Sequence, residues 1–120
     1  MTVDPFTDRL ARVRARFAAA LAGKIDEIHA ALPRLSAAEP AAAAAVAAAY
    51  RCVHGIVGVG PTVGFPASGS AAHDVEDVLR PAYRDGRALT ADEAALVTQT
   101  LCVLRENAAR ELESFESLES

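Results

Sequence analysis

The 120-residue chain has no tryptophan, one methionine and only six aromatic residues, so its core must be built from aliphatic and small side chains. It has two cysteines, Cys52 and Cys102, at no metal-binding spacing, which excludes a cysteine-rich zinc fold. Met1 to Leu10 lacks the basic and apolar regions of a signal peptide, and both thiols are therefore expected to be reduced and buried in a cytoplasmic protein. Positive charge is in short supply, with 12 Lys and Arg against 16 Asp and Glu. The net charge of -4 gives neither a nucleic acid nor an anionic membrane anything to hold, and favours a protein partner or a small ligand. The longest apolar run, Ala41 to Tyr50, is stopped by Arg51 well short of the roughly 20 residues that span a bilayer. No strand-like alternation, internal repeat or linker appears, and the length fits one domain over residues 1–120.

What the sequence does have is alanine, the residue that costs least in a helix, within a composition that is 52% hydrophobic. Phe6, Leu10, Val13, Phe17, Leu21, Ile25, Ile28 and Leu32 recur at steps of three or four and predict a long amphipathic helix. Asp4 and Pro5 supply its cap and first residue, and Pro33 marks its expected end. A second helix begins either at the capping box Ser36-Ala-Ala-Glu39 or at Pro40, with Val46, Val53 and Ile56 as its apolar side. Gly55, Gly58, Gly60 and Pro61 should weaken that helix after His54 and end or kink it near Gly60. Ala71, Ala72, Val75, Val78, Leu79 and Ala82 define a third helix, closed by Asp85-Gly86. Thr90-Ala-Asp-Glu93 is a second capping box and opens a fourth helix, through Leu96, Val97, Thr100, Leu101, Leu104, Ala108 and Leu112. The expected fold is all-α, an up-down-up-down four-helix bundle.

With Val53 and Ile56 turned to the core, the 100° step per helical residue puts His54 on the flank, in reach of solvent. Arg51 and Gly58, three and four residues away, lie beside it, and Tyr50 and Val57 form the shoulder toward the core. Neutral imidazole is a competent nucleophile toward phosphorus near neutral pH and needs no triad. From Ala41 to His73 there is no Asp or Glu, so no sequence-local carboxylate would repel a phosphoryl group.

The segment Tyr50-Arg-Cys-Val-His54-Gly-Ile-Val-Gly58-Val-Gly-Pro-Thr-Val-Gly64-Phe65, followed by Ala72-His-Asp-Val-Glu76-Asp-Val-Leu79, resembles the signature of histidine-containing phosphotransfer (HPt) domains. In that family a His is followed four residues later by a Gly, then by a Gly-Phe-like pair and an acidic-apolar helix. The resemblance covers most of the chain and implies a four-helix bundle in which His54 accepts the phosphoryl group. It implies that Gly58 lets a receiver domain bring its Asp close, and that no cofactor is needed beyond Mg²⁺ in the receiver. Where many members carry a polar residue three places after the His, this chain has Val57, which leaves Arg51 as the local cation. Pro61 interrupts a helix that in the family usually continues to the Gly-Phe pair.

The expected function is transfer of a phosphoryl group through His54 to and from Asp of response-regulator receiver domains, with a sensor histidine kinase as a further partner. The contact surface would comprise Tyr50, Arg51, Gly55, Val57, Gly58 and Pro61, together with Ile25 to Ala31 of the first helix. The protein is expected to be a monomer and, having no nucleotide-binding segment, not a complete kinase. Gly58, Gly60 and Gly64 match a dinucleotide fingerprint only in part, and they follow a helix rather than a strand. His29 and His73 match no motif, and His73, Glu76, Cys52 and Cys102 lack ligand spacing, so no metal site is expected. The alternative is an adaptor or dimerisation module that keeps the bundle and never carries phosphate.

Overall fold

In the computed structural model, residues 4–37 and 40–119 are described. They form helices α1 (Pro5–Leu35), α2 (Pro40–Val59), α3 (Pro66–Asp85) and α4 (Ala91–Glu119), with a 3₁₀ turn at Gly60–Val63 between α2 and α3. No strand occurs among the described residues. α1 packs on α2 and α4, and α3 packs on the same two helices, so the four stand at the corners of a square. The core between them is mostly aliphatic: Leu21, Ile25, Val46, Val53, Ile56, Val75, Leu79, Val97 and Leu104 are all buried.

Some helix ends are set by local caps and others by long-range contacts. Asp4 caps α1 by accepting from the Phe6 N–H at 3.4 Å, with Pro5 in the first turn. α1 does not end at Pro33 as expected but continues to Leu35. A proline there forfeits one backbone hydrogen bond. Burial of Leu35, and the bond from Leu89 N–H to its carbonyl at 2.9 Å, hold the last turn in place. The box expected at Ser36 to Glu39 extends beyond the described residues, and α2 has Pro40 as its first residue. At α4 both halves of the box form: Thr90 N–H donates to Glu93 Oε1 at 2.8 Å, and Glu93 N–H to Thr90 Oγ1 at 3.1 Å.

The end of α2 is remade rather than broken. The chain tightens into the 3₁₀ turn and reverses at Gly64, whose φ of 93° lies in the region that favours glycine. Phe65 then drops into the core, tilted against Phe17 and Phe115 at centroid distances of 5.1 and 5.8 Å. Pro61 sits on Gly69 of α3 so closely that a Cβ there would lie 2.6 Å from its ring. Arg14 ties α1 to the same turn through a 2.9 Å bond to the Val63 carbonyl.

Three details differ from the sequence expectation. Phe6 and Val13 belong to the apolar stripe of α1 yet are exposed, and Leu96 of α4 is exposed as well. Cys52 is only half-buried and Cys102 is exposed, so neither thiol is a core residue. Pro40–Val63 is long and apolar enough by length and composition to cross a membrane, although no contiguous apolar run predicted it. Inside the bundle its Val46, Val53 and Ile56 face the core, and its outward side is largely alanine interrupted by Arg51 and His54.

Candidate functional site

His54 lies on α2 between two core residues, Val53 and Ile56, that are fully buried. That register fixes its direction, and its side chain is 66% exposed while its backbone belongs to a packed helix. The ring is not loose. Tyr50, one turn earlier, stacks on it with centroids 5.9 Å apart and an interplanar angle of 12°. Tyr50 is itself stacked on Tyr83 of α3 at 4.0 Å and 9°, so three rings form a column across α2 and α3 with the half-buried Tyr50 in its middle.

Nδ1 of His54 is hydrogen-bonded to Glu76 Oε2, from α3. The acid-free stretch from Ala41 to His73 therefore does not leave the imidazole without a carboxylate, because the neighbouring helix delivers one. Glu76 is the neighbour of His54 that sequence reasoning did not place beside it. Its carboxylate is 6% exposed. A buried carboxylate without partners would be costly, and here both oxygens are engaged. Oε2 meets His54, and Oε1 accepts from Arg80 Nη2 at 3.0 Å. Arg80 also donates through Nη1 to Asp77 Oδ1 at 2.6 Å. Asp77 first, and Tyr50 next, stabilise the charged guanidinium and raise it above its ordinary value.

The consequence for the ring is a division of labour between its nitrogens. A carboxylate at Nδ1 favours the tautomer with the proton there, leaving the Nε2 lone pair free. Nε2 has no hydrogen-bond partner among the described residues. The arrangement supplies a fixed, outward-facing nitrogen nucleophile backed by an anion that can balance positive charge on the ring.

The other residues of the expected contact surface differ in burial and surroundings. Tyr50 and Val57 are half-buried, forming the shoulder. Arg51 is exposed and makes no ion pair among the described residues. Gly55 and Gly58 are exposed, and a Cβ at either would meet nothing within 4 Å, so neither glycine is there to relieve a clash. Gly60 differs, since a Cβ there would lie 3.2 Å from the Phe65 carbonyl oxygen. Pro61 is exposed on one side and seated on Gly69 on the other.

The expected contribution from Ile25 to Ala31 is corrected by the structure. His54 faces the α3 side of α2, where Glu76 is its partner. Ile28, Ala30 and Ala31 instead line a groove of about 530 Å³ with Ala44, Ala45, Ala48 and Cys52, on the opposite flank of α2. Cys52 Sγ lies 3.8 Å from the Lys24 carbonyl on that flank, and burial pushes its thiol up.

Cys52 and Cys102 join no ligand cluster with His73 among the described residues, and Glu76, one turn along α3, is not part of the group His73 forms. That histidine pairs with Asp77 at 3.4 Å and, with Asp74, forms an exposed group whose possible ligand atoms lie within 4.8 Å of one another. His29 is exposed on α1. Compared with protein-family models, residues 12–114 match the one described as Hpt domain. A search of curated proteins finds no match, and neither does a search of solved structures.

Proposed function

Because the chain belongs to the Hpt domain family, whose members are phosphotransfer modules of two-component signalling, we propose that His54 is its phospho-acceptor. It would relay a phosphoryl group to and from Asp of response-regulator receiver domains. The observation that carries this reading is the His54 ring, two-thirds exposed and, among the described residues, hydrogen-bonded only through Nδ1.

In the proposed step the Nε2 lone pair attacks the phosphorus of a receiver aspartyl phosphate. An N–P bond forms, the P–O bond to the aspartate breaks, and that residue leaves as a carboxylate. The Nδ1 proton stays between the ring and Glu76, whose charge offsets the positive charge the ring acquires. Return transfer to a second receiver Asp reverses each step. Phosphoryl transfer depends chiefly on positioning and charge neutralisation, so a relay protein can be chemically sparse. We assign the Mg²⁺ of the transfer to the receiver and propose that this domain contributes no cofactor. Arg51, Gly55, Val57, Gly58 and Pro61, with Tyr50 behind the ring, form the receiver contact in this reading.

We further read the molecule as one cytoplasmic domain and its bundle as up-down-up-down. The short α2–α3 and α3–α4 connections and the square of helix contacts support that topology. A sensor histidine kinase is a second partner by the same reasoning. The adaptor alternative is disfavoured by the Glu76–His54 bond, because a scaffold has no use for a buried carboxylate aimed at an exposed imidazole.

A phosphorylated receiver domain is expected to label the wild-type protein with an acid-labile phosphate, and to leave His54→Gln unlabelled. Labelling of His54→Gln at the wild-type level would remove His54 from the mechanism. Failure of a full panel of receivers and kinases to label the wild type would favour the adaptor.

A further inference from the structure

We propose that Arg80 is a positioning residue of the His54 site: its guanidinium holds the Glu76 carboxylate and keeps the His54–Glu76 pair at the single shared proton that leaves Nε2 free. The inference rests on the reading of His54 as phospho-acceptor and adds a residue that does not touch the transferred group.

The pair can hold one proton or two. With one, Glu76 is a carboxylate, Nδ1 carries the proton and Nε2 is a nucleophile. A second proton disables the ring wherever it settles, either as imidazolium or as a protonated Glu76 beside the other tautomer. Two groups this close take up protons as a unit, so what matters is how readily the pair accepts the second one. The Glu76 side chain is 6% exposed, so its carboxylate depends on the partners it is given. Arg80 is one of them. Its Nη2 lies 3.0 Å from Glu76 Oε1, on the oxygen His54 does not use, and a fixed positive charge there stabilises the carboxylate and repels a second proton.

The guanidinium is well placed for this task. It bonds Glu76 and Asp77 at once, from a side chain only 28% exposed, which leaves it little freedom to swing away. The charged and titratable groups around the pair are Tyr50 and Arg51 on α2, and His73, Asp77, Arg80 and Tyr83 on α3. α1 and α4 contribute no hydrogen bond or ion pair to His54, Glu76 or Arg80 among the described residues. Arg80 is thus the cation in direct contact with Glu76. Asp77 holds the guanidinium from its outer side.

The test compares Arg80→Gln and Arg80→Met with Arg80→Lys in the full chain. The first readout is the His54 imidazole signal followed by NMR across pH in unphosphorylated protein, which needs no phosphodonor. In both uncharged variants the protonation midpoint should move to higher pH than in the wild type, by about one unit, and Arg80→Lys should stay near the wild type. The second readout is the rate of labelling by a phosphorylated receiver against pH. Its acid limb should move the same way, cutting the rate about tenfold below the limb while the plateau at high pH is kept.

A midpoint that does not move in a folded uncharged variant overturns the proposal. So does a loss of labelling that is equal at every pH, which would make Arg80 a structural or docking residue. A shifted midpoint in a protein that no donor labels would leave the role of Arg80 intact and sink the phosphotransfer reading instead.

Discussion

A methyl group added at Gly60 would meet the Phe65 carbonyl oxygen at 3.2 Å and the Phe17 ring at 3.5 Å, whereas one added at Gly55 or Gly58 would meet nothing within 4 Å. The first glycine is tightly packed, and the other two cost helix stability of roughly 1 kcal/mol each without any return inside the molecule. Gly58→Ala should therefore raise thermal stability, by about 0.5–1 kcal/mol, while slowing transfer from a receiver that brings its backbone to this face. Thermal melts and labelling rates measured on one preparation check both halves, and a variant that is both more stable and fully active would refute the contact role of Gly58. At this scale His54 was legible, because the offset from Val53 and Ile56 fixes the direction of its side chain from the sequence alone. Glu76 was not. It is 22 residues from His54, and periodicity shows that α3 is amphipathic without saying which of its polar residues will face α2.

Among the elements, α4 was the most readable, because both partners of its capping box lie within one turn and need no tertiary information. The structure adds Arg87, whose guanidinium bonds Glu93 at 2.8 Å. Led by that bond, the interactions of Glu93 with Arg87 and Thr90 hold its carboxyl at about 2, against an ordinary value of 4.5. A carboxyl lowered on folding adds stability that is complete above the unfolded value and lost as pH falls through the folded one. The protein should accordingly lose stability as pH drops from about 4.5 toward 2, and Glu93→Gln should be less stable at neutral pH with a flatter profile over that window. Denaturant midpoints measured across the range decide it, and parallel profiles for the two proteins would exclude Glu93 as a source. Less of α3 was readable in advance. Its first turn is capped from α4, where Glu111 accepts from Ala67 N–H at 3.0 Å and Ser68 N–H at 2.7 Å, a long-range contact with no local signal. The length of α1 was underestimated for a related reason, since the proline rule is local and the burial of Leu35 that overrides it is not.

For the molecule as a whole, composition and periodicity gave the fold class and the number of helices, because both follow from one-dimensional pattern. They did not give the shape. The Cα radius of gyration is 15.9 Å, and the extents are 59 × 23 × 19 Å. A globular chain of this length would have a radius of about 13.6 Å. The excess reflects the 31- and 29-residue helices α1 and α4, which are longer than the 20-residue α2 and α3 they pack on. Phe6 and Val13 are exposed at the α1 end, beside Gly58 and Val59. We expect the protein to remain a monomer despite this apolar edge, so light scattering during gel filtration should return 12.5 kDa. A mass of twice that value would point to the adaptor.

The ring column beside His54 also bears on how the protein can be observed. The chain has two tyrosines and no tryptophan, and Tyr50 and Tyr83 are the stacked pair. Nearly all of its ultraviolet emission must then originate in the ring column that ends on His54. Events at the imidazole are reported by an intrinsic optical signal, with no dye or added label.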